Sequence, residues 1–483
     1  TTLPDETGGG LLERGAREIA LRLTRAGFRA LWAGGCVRDR LMGRPAKDYD
    51  IATNATPDEV LALFPRSTAV GKAFGVVCVP WRGASYEIAT FRRDRGYADG
   101  RRPDAVEFTD EREDAMRRDF TVNGLFYDPE RDEVLDYING LRDLQQRVIR
   151  AIGDPFARFG EDRLRLLRAV RFASTLEFGL DPETECAIRK MADSVRSVSA
   201  ERIQMELTRL LVESPRAGQG IRLLERTGLL RAVLPEVAAM AGQEQPPEFH
   251  PEGDVLTHTV IMLDAMQERD ADLAWTVLLH DVGKPATAAI GRWPDGRPRI
   301  RFDRHADVGA EMARGILTRL RMPRQRIETV VFAIANHMRF KDVQRMRRAT
   351  LRRLIGAPTF PLELELHRLD CVSSHGVLDN HAFLEQAREQ WREEKPLPPP
   401  LVSGHDLLAM GIPEGPELGR RLRAAYEAQL EHPDWNRAQL LELARQGEAP
   451  GKGRPRRGFR TGRGEGCGNP GSSGGSSGPR RDQ

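Results

Sequence analysis

The sequence predicts an α+β protein, with a mixed α/β region first, mostly α-helical regions after it and a disordered basic tail at the end. Hydrophobic residues make up 40% of the 483 residues, charged residues 30% and aromatic residues 6%, a composition typical of helix-rich globular chains. Short β-like runs alternate with helical runs between Phe28 and Ile149. From Asp154 onward, apolar residues recur at the three- and four-residue spacing of amphipathic helices.

The α/β region contains four runs of β-branched and apolar residues bounded by Gly and Pro, which predict strands. These runs cover residues 30–34, 47–53, 75–81 and 84–91. Two amphipathic runs lie between them, at residues 37–43 and 57–64, and predict helices. The region is therefore expected to form one α/β or α+β domain.

A chain of this length holds roughly two to four domains. Helical periodicity from 154 to 242, the pair Pro246-Pro247 and the run PLPPP at 396–400 mark the breaks in the second half. We place the boundaries, in chain order, at 1–28, 29–150, 151–243, 244–396, 397–448 and 449–483.

Composition also excludes several classes of protein. No apolar stretch approaches the ~18 residues of a membrane span, and the first ten residues have neither a basic region nor an apolar core. A cytoplasmic protein without a membrane partner is therefore expected. The cysteines are odd in number and scattered, which indicates neither a disulfide framework nor a thiolate metal site. They are Cys36, Cys78, Cys186, Cys371 and Cys467.

The net charge of +3 is unevenly distributed. From Ala449 onward, eight Lys and Arg residues face only Glu465 and Asp482, which gives the tail a local charge of +6 and leaves about −3 on the body. Gly, Ser and Pro fill the rest of this tail, so that it cannot bury enough apolar surface to fold. It adds phosphate affinity for RNA or serves only as a solubilising extension, and both interpretations stay open.

The first candidate site is a pair of acids after a double glycine. Asp48 and Asp50 flank Tyr49 in a predicted strand, so their side chains leave one face about 6.5 Å apart. Paired carboxylates suit Mg²⁺ with substrate phosphates, although alternating acids also occur on merely solvated strand faces. Gly34-Gly35 precede a predicted helix, at a turn where backbone N–H groups can meet a triphosphate. Together these features favour nucleotide chemistry.

Three ordered motifs resemble a known family. They are GGCVRDRLMGRPAKDYDIAT (34–53), MRRDFTVNGLFYD (116–128), with Gly124 where Ala is common, and GDPFARFGEDRLRLLRAVRF (153–172). The chain is similar over residues 29–240 to the class II CCA-adding tRNA nucleotidyltransferase and bacterial poly(A) polymerase family. The resemblance implies a polymerase β-like catalytic head at 29–150, a helical nucleotide- or RNA-binding domain at 151–243, and CTP, ATP and the tRNA 3′ end as substrates.

The resemblance also implies a role for each site residue. Asp48 and Asp50 are the implied catalytic Mg²⁺ ligands, and Gly34, Gly35 and Arg38 are implied to hold the triphosphate. The residues implied to position the nucleotide and its sugar are Arg117, Arg118, Asp119 and Asn123. Asp162 and Arg165 are implied to read the base, because a carboxylate and a guanidinium can pair with the edges of both C and A.

Two of these residues and one neighbour have plainer interpretations. Asp162 and Arg165 are also spaced for an ordinary i,i+3 helix salt bridge. Glu87 lies in a predicted strand, either as a further acid near the metals or as a solvated side chain.

A second set of candidate ligands is dispersed through residues 244–396 and resembles the HD phosphohydrolase superfamily. It consists of His258, His280, Asp281, His305, His337 and Asp370. The resemblance implies an appended HD domain that holds a divalent metal, either a transition metal or Mg²⁺, and hydrolyses phosphate esters at RNA ends. His250 is a neighbour of these ligands or a structural residue. The segment 403–422 follows the set and is expected to contact tRNA or to pack as helices joined by a Gly- and Pro-rich loop.

Two segments bear on which nucleotide is added. Residues 92–108 resemble a loop that members adding only CC lack, and residues 67–79 resemble CCA-adding members more than poly(A) polymerases. Full CCA addition is therefore the leading hypothesis, ahead of A-only addition and poly(A) synthesis. Two hypotheses of other classes are an HD hydrolase with a nucleotide-sensing N-terminal domain and an RNA-binding module that uses the tail. The sequence does not indicate an oligomeric state.

Overall fold

The computed structural model describes residues 10–71, 74–95, 105–248 and 250–447. The chain divides into two units, the first formed by residues up to 346 together with 353–396, and the second by 347–352 together with residues from 397 onward. The predicted tail from 449 and most of the loop predicted at 92–108 lie outside the described residues.

The strands are β1 (Ala30–Ala33), β2 (Asp50–Thr53), β3 (Thr68–Gly71), β4 (Val76–Trp81), β5 (Ala84–Thr90), β6 (Arg92–Arg95), β7 (Ala105–Phe108), β8 (Phe126–Asp128), β9 (Glu133–Leu135), β10 (Val148–Ile149), β11 (Gly179–Leu180), β12 (Ala288–Arg292) and β13 (Pro298–Phe302). The first twelve α-helices are α1 (Leu11–Arg25), α2 (Gly35–Leu41), α3 (Pro57–Leu63), α4 (Glu111–Met116), α5 (Gly140–Gln146), α6 (Pro155–Glu161), α7 (Leu164–Leu176), α8 (Pro182–Met191), α9 (Ala200–Glu213), α10 (Ala217–Arg226), α11 (Leu229–Val233) and α12 (Pro235–Ala238). The others are α13 (Val255–Ala265), α14 (Ala271–Leu279), α15 (Lys284–Thr287), α16 (His305–Arg319), α17 (Arg324–Asn336), α18 (Arg348–Ile355), α19 (Phe360–Ser373), α20 (Asp379–Gln390), α21 (Gly404–Ala409), α22 (Pro416–Glu431) and α23 (Arg437–Gln446). Short 3-10 helices cover Thr121–Asn123, Ala192–Ser197 and His337–Arg345.

A seven-stranded mixed sheet forms the head, in the order β3-β4-β5-β2-β1-β8-β9. Strand β2 is antiparallel to β1, with Asp50 opposite Ala33, and parallel to β5, with Ile51 opposite Ile88. This register places Asp50 beside the end of β1 and beside Glu87, the residue that precedes Ile88. The sheet thus brings the double glycine and two acids together at the level where β1 ends and β2 begins.

The strand predicted at 47–53 is shorter in the structure, because β2 begins only at Asp50. Strand β1 ends at Ala33, opposite Asp50, and the chain then turns into α2, so β1 offers no backbone partner to Asp48. The alternation of side chains persists nevertheless. Tyr49 is buried, with its ring 4.9 Å from the ring of Trp32, while Asp48 and Asp50 are exposed.

After the head, the first unit is mostly helical, which confirms the predicted α+β class. Helix α7 packs against α9 and α10, and α13, α14, α16 and α17 extend the same apolar core. Its centre includes the buried side chains of Leu167, Trp275 and Leu317. This continuous core fixes the helices that carry the second set of candidate ligands.

The second unit contains α21, α22 and α23, with Leu407, Ala425 and Leu440 in its core. Helix α21 ends at Ala409 and α22 begins at Pro416, so the loop predicted between two helices in segment 403–422 is confirmed. Across both units, none of the described helices combines the length and apolarity that crossing a membrane requires.

Candidate functional site

The double glycine forms a sharp turn between β1 and α2. Gly34 has a φ of 75°, in the left-handed region that glycine adopts without strain. A Cβ atom at this position would lie 2.9 Å from the Nη1 atom of Arg118. Both the conformation and the close approach of an arginine therefore require glycine here.

Three acids lie beside this turn. Asp48, Asp50 and Glu87 each have exposed surface. The protein around the Asp50 carboxylate nevertheless desolvates it, and this desolvation, together with the nearby charges of Asp48 and Glu87, raises the pKa of Asp50 to about 6. The cation Arg118 opposes this shift without cancelling it. Such electrostatic repulsion is what a bound divalent cation would relieve, so the donor set suits Mg²⁺.

Asp114 fixes the two arginines of the RRD motif. Its side chain is only 1% exposed, and it accepts hydrogen bonds from Arg117 Nε at 2.8 Å and from Arg118 Nη2 at 3.1 Å. Burial alone would raise the pKa of Asp114, but the two guanidinium groups lower it. The carboxylate is thus ionised and holds both arginines in defined positions.

Asp119 organises a second buried network. Its Oδ2 accepts two hydrogen bonds from Arg168, at 2.9 and 2.7 Å, and its Oδ1 accepts one from Asn123 Nδ2 at 3.0 Å. Asn123 Oδ1 in turn accepts a hydrogen bond from Arg38. Burial alone would raise the pKa of Asp119, but Arg168 and Asn123 lower it to about 2. Asp119 therefore links the RRD motif to Arg38 and to α7.

Asp162 and Arg165 are not paired with each other, so the i,i+3 salt bridge considered from the sequence is wrong. Asp162 lies between α6 and α7 and accepts a hydrogen bond from Arg202 Nη2 at 2.7 Å. The Nη1 atom of Arg165 lies 2.5 Å from Glu161 Oε2, and its Nη2 donates to the carbonyl of Arg117 at 3.1 Å. Each base-reading candidate is thus held by a partner elsewhere.

One cavity of about 620 Å³ unites these groups. All eleven residues predicted for nucleotide transfer line it, namely Gly34, Gly35, Arg38, Asp48, Asp50, Arg117, Arg118, Asp119, Asn123, Asp162 and Arg165. Sequence reasoning missed several basic residues in the same wall: Arg44, Lys47, Arg168, Arg171, Arg202 and Arg209. The three-residue spacing of Arg165, Arg168 and Arg171 in α7 was the available signal. A cavity with so many cations suits a polyphosphate and an RNA end.

The six predicted HD residues also converge, within the first unit. Three of the imidazoles donate from Nδ1 to a backbone carbonyl three residues earlier: His280 to Val277 at 2.8 Å, His305 to Phe302 at 2.8 Å and His337 to Ile334 at 2.7 Å. In this tautomer the Nε2 lone pair of each ring is free for a metal. Burial lowers the pKa of His337 to about 4, which keeps that ring neutral.

His258 differs in having carboxylates on both ring nitrogens. Its Nδ1 lies 2.6 Å from Glu252 Oε1 and its Nε2 lies 3.1 Å from Asp370 Oδ1. Burial alone would lower the pKa of His258, but these carboxylates raise it to about 9. Sequence reasoning missed Glu252, because a single acid in a loop gives no periodic signal. His250 also contacts Glu252, at 2.9 Å from Nδ1.

Asp281 lies between the imidazoles of His305 and His337 and the ammonium group of Lys284. Its Oδ1 lies 3.6 Å from His305 Nε2, and its Oδ2 lies 2.6 Å from the buried ammonium of Lys284. Gly283 allows α16 to approach, since a Cβ there would lie 2.3 Å from the carbonyl oxygen of His305.

The ligand atoms form compact groups whose members lie within 4.8 Å of one another, among them His258 with His280 and Asp370, and Asp281 with His305 and His337. Imidazoles and carboxylates in this arrangement fit a divalent metal. In the described residues, groups of this compactness occur only among the HD ligands and in a third group that His258 forms with its neighbours His250 and Glu252. The described acids of the head form no such group.

Comparison with known proteins separates the head, which carries the cavity, from the region that carries the HD ligands. The family model described as "Poly A polymerase head domain" matches residues 30–150, the model "Probable RNA and SrmB- binding site of polymerase A" matches 177–240, and the model "HD domain" matches 253–373. The CCA-adding enzyme of Bacillus velezensis (strain DSM 23117 / BGSC 10A6 / LMG 26770 / FZB42) is 40% identical over 282 residues, which cover 58% of this chain and 67% of that protein. The chain belongs to the CCA-adding enzyme family.

Other relatives of this family match shorter segments. The CCA-adding enzyme of Anoxybacillus flavithermus (strain DSM 21510 / WK1) is 45% identical over 226 residues, which cover 47% of this chain and 56% of that protein. The chain thus spans little more than half the length of the first curated relatives it matches. The crystal structure of the Bacillus stearothermophilus CCA-adding enzyme in complex with CTP superimposes with a TM-score of 0.69 at 26% identity, over 90% of this chain and 98% of that chain.

Proposed function

We propose that the protein adds or repairs the 3′-terminal CCA of tRNA, using CTP and ATP without a nucleic-acid template. The observation that carries this proposal is the convergence of all eleven predicted transferase residues on one cavity. Similarity to a family member whose solved structure contains CTP supports the same substrate. With tRNA as the substrate, we propose that the protein acts in the cytoplasm.

The cavity supplies the parts that the reaction needs. Asp48 and Asp50 would hold Mg²⁺, which would activate the tRNA hydroxyl and neutralise charge on the reacting phosphates. Arg38 binds the triphosphate, and Arg117 and Arg118 position the nucleotide and its sugar. Because Asp114 already fixes the last two guanidinium groups, little ordering accompanies binding.

Transfer exchanges one phosphoanhydride bond for one phosphate ester bond. The 3′-oxygen of the tRNA forms a bond to the α-phosphorus, the bond from that phosphorus to the pyrophosphate oxygen breaks, and the hydroxyl proton passes to water. Pyrophosphate leaves with its negative charge facing the arginines of the cavity.

Selection of C and A is assigned to Asp162 and Arg165. The carboxylate accepts a hydrogen bond from an amino group on the base and the guanidinium donates to ring nitrogen or carbonyl acceptors, which both cytosine and adenine present. Arg202 and Glu161 hold the two groups in place. These two residues do not rank the family's activities. Full CCA addition leads because residues 67–79 and 92–108 resemble CCA-adding members, with A-only addition second and poly(A) synthesis third.

The experiment that tests this proposal supplies tRNA that ends before CCA, together with labelled CTP and ATP, and sequences the product ends. The expected product ends in CCA and grows no further. A single A added only to tRNA that already ends in CC selects the A-adding function, and a long A tract selects poly(A) synthesis. An Asp162→Ala variant should retain tRNA binding and lose selection of CTP and ATP over UTP and GTP.

We propose a second activity, metal-dependent phosphohydrolysis of phosphate esters at RNA ends, because the six HD ligands converge in compact groups and three of their imidazoles donate from Nδ1 to backbone carbonyls, which directs Nε2 toward a metal. A divalent metal bound there polarises the phosphate and activates water. His280, His305 and His337 present Nε2 for it, while Lys284 adds a positive charge beside Asp281. With a 2′,3′-cyclic phosphate, the water oxygen bonds to phosphorus, one ring P–O bond breaks and the freed ribose oxygen takes a proton.

Hydrolysis of 2′,3′-cyclic CMP with Mg²⁺, Mn²⁺, Co²⁺ or Ni²⁺ tests this activity and identifies the metal. The expected rate depends on added metal and is lost in an Asp281→Asn variant. Equal rates in both proteins would contradict the assignment.

A further inference from the structure

The strands β12 and β13 form a hairpin that lies between two parts of the HD cluster. The hairpin follows α15, which begins at Lys284, and ends at Phe302, whose carbonyl accepts the Nδ1 proton of His305 at 2.8 Å. The ammonium of Lys284 also lies 5.6 Å from the centre of the Phe302 ring. Both ends of the hairpin are therefore fixed to residues of the metal cluster.

The two faces of this hairpin differ. In the observed register, Ala288, Ile290 and Arg292 pair with Phe302, Ile300 and Pro298 and share one face. The opposite face carries Ala289 opposite Arg301 and Gly291 opposite Arg299, and Arg297 continues the same alternation. We call Arg297, Arg299 and Arg301 the arginine row.

Small residues on β12 make room for this row. A Cβ at Gly291 would lie 2.6 Å from the Cδ atom of Arg301, so the arginine side chain lies over the glycine. Alternate residues of a strand are about 6.6 Å apart, a spacing comparable to that of successive phosphates in an extended nucleic-acid strand. The row runs along β13 toward His305.

Arg299 is the member of the row that forms no ion pair among the described residues. It is half-buried, its guanidinium carbon lies 4.1 Å from the centre of the Trp293 ring, and its Nε is buried without a hydrogen-bond partner. Arg301, by contrast, is bound to Asp303 at 2.7 Å and is half exposed. A stacked, unpaired arginine beside an indole presents a phosphate site next to a surface on which a base can stack.

We propose that the β12–β13 hairpin binds single-stranded RNA and directs its phosphorylated 3′ end into the HD centre. The inference rests on the proposed phosphohydrolase function and adds its substrate class: polynucleotide ends are preferred to free nucleotides. Net charge favours an anionic strand, since residues 288–304 carry five arginines, Arg292, Arg297, Arg299, Arg301 and Arg304, against Asp295 and Asp303. The Trp293–Arg299 stack favours nucleic acid over an acidic polypeptide, because only the former offers bases as well as phosphates.

The primary test does not depend on hydrolysis. A 12-nucleotide RNA with 4-thiouridine near its 3′-phosphorylated end is photo-crosslinked to the full-length protein, and the modified peptide is mapped by mass spectrometry. Crosslinks within residues 293–301 are expected, and a tenfold excess of unlabelled RNA should remove them. Absence of crosslinks from this hairpin, or equal competition by an oligoglutamate of the same charge, would overturn the inference.

The second test compares two substrates of the HD centre, an RNA oligonucleotide that ends in 2′,3′-cyclic phosphate and free 2′,3′-cyclic CMP. Arg299→Ala with Arg301→Ala should raise KM for the RNA at least tenfold, leave the rate on the mononucleotide within twofold, and reduce the salt dependence of RNA binding by a slope of about 1.4. Trp293→Ala should raise KM for the RNA about fivefold or more.

Arg292→Ala is the matched control, because it removes an arginine from the opposite face of the same hairpin and should change neither substrate. If the wild-type protein hydrolyses both substrates and the row variants behave as it does, the hairpin inference is wrong while the hydrolase proposal stands. If the wild-type protein hydrolyses neither substrate, the hydrolase proposal fails, and crosslinks to the hairpin then show RNA binding without it.

Discussion

The Nε2 atoms of His305 and His337 face each other at 3.2 Å, while the Nδ1 atom of each ring is bound to a backbone carbonyl. With both rings in the neutral tautomer that these bonds favour, two lone pairs point at each other, an arrangement that a shared cation stabilises. Asp281 Oδ1 lies 3.6 Å from the first of these atoms and 3.9 Å from the second, which completes a ligand set for one ion.

Removing one of these imidazoles should therefore weaken metal binding while the protein still folds. We expect His337→Ala to lower Mn²⁺ affinity about 100-fold or more, measured by titration calorimetry. Addition of Mn²⁺ should raise the melting temperature of the wild-type protein and have little effect on that of the variant, because a ligand stabilises only the state that binds it. Equal Mn²⁺ affinity in the two proteins would show that His337 is not a metal ligand.

Glu252 should act on the metal through His258. Because its carboxylate oxygen lies 2.6 Å from Nδ1 of that ring, it orients Nε2 and increases its basicity. Glu252→Gln is expected to weaken metal binding about 10- to 100-fold, measured by the same titration. Glu248→Gln alters an exposed acid of the same loop and provides the matched control. An unchanged affinity in Glu252→Gln would show that His258 is oriented by other contacts.

The buried carboxylate of Asp114 should matter for nucleotide binding although it does not line the cavity. Asp114→Asn removes the charge that holds Arg117 and Arg118, so kcat/KM for CTP should fall about 10²-fold, mostly through KM. Partial recovery in Asp114→Glu would distinguish positioning from a general loss of structure. Glu113→Gln changes a half-exposed acid on the same helix and should have no such effect. A fall in kcat alone would contradict the positioning role.

Proton competition should make Mg²⁺ binding at the transferase site depend on pH. The pKa of Asp50 is raised to about 6, so a proton must leave before the carboxylate can bind a cation. Apparent Mg²⁺ affinity should fall up to about tenfold per pH unit below 6 and become constant above about 7. Titration of CTP-free protein with Mn²⁺ as a paramagnetic substitute measures this.

The same shift has a consequence for stability. An acid whose pKa is raised by folding destabilises the folded state at pH values above its unfolded pKa, because there the unfolded chain ionises it more readily. Asp50→Asn should therefore raise the melting temperature of metal-free protein at pH 7.5, while the difference should shrink toward pH 4. A lower melting temperature in the variant at pH 7.5 would contradict the electrostatic account.

The sequence was most informative where a pattern is local or resembles a known family. The α+β class could be predicted from the change of periodicity along the chain, and the double glycine with Asp48 and Asp50 from one short motif. The six HD ligands are dispersed, and they could be predicted because their order resembles that of a known superfamily. In the structure the eleven transferase residues share one cavity and the HD ligands share one cluster.

Partnerships between distant residues could not be predicted in this way. The bond between Asp162 and Arg202 and that between Asp119 and Arg168 depend on how α7 and α9 pack, which no local pattern reports. Strand β2 begins at Asp50 because its partner β1 ends opposite that residue. Strand propensity alone predicted that the strand begins at residue 47. The β12–β13 hairpin was not expected at all, since its arginines and small residues lack the apolar alternation of a buried strand.

The central claim is that Asp48 and Asp50 serve nucleotide transfer and that the HD cluster serves a separate reaction. The most direct measurement compares Asp50→Asn with Asp281→Asn, using CMP incorporation into tRNA that lacks CCA and hydrolysis of 2′,3′-cyclic CMP as the two assays. We expect Asp50→Asn to reduce incorporation about 10³-fold and to leave hydrolysis intact, with the opposite result for Asp281→Asn. Undiminished CMP incorporation by Asp50→Asn would contradict the claim.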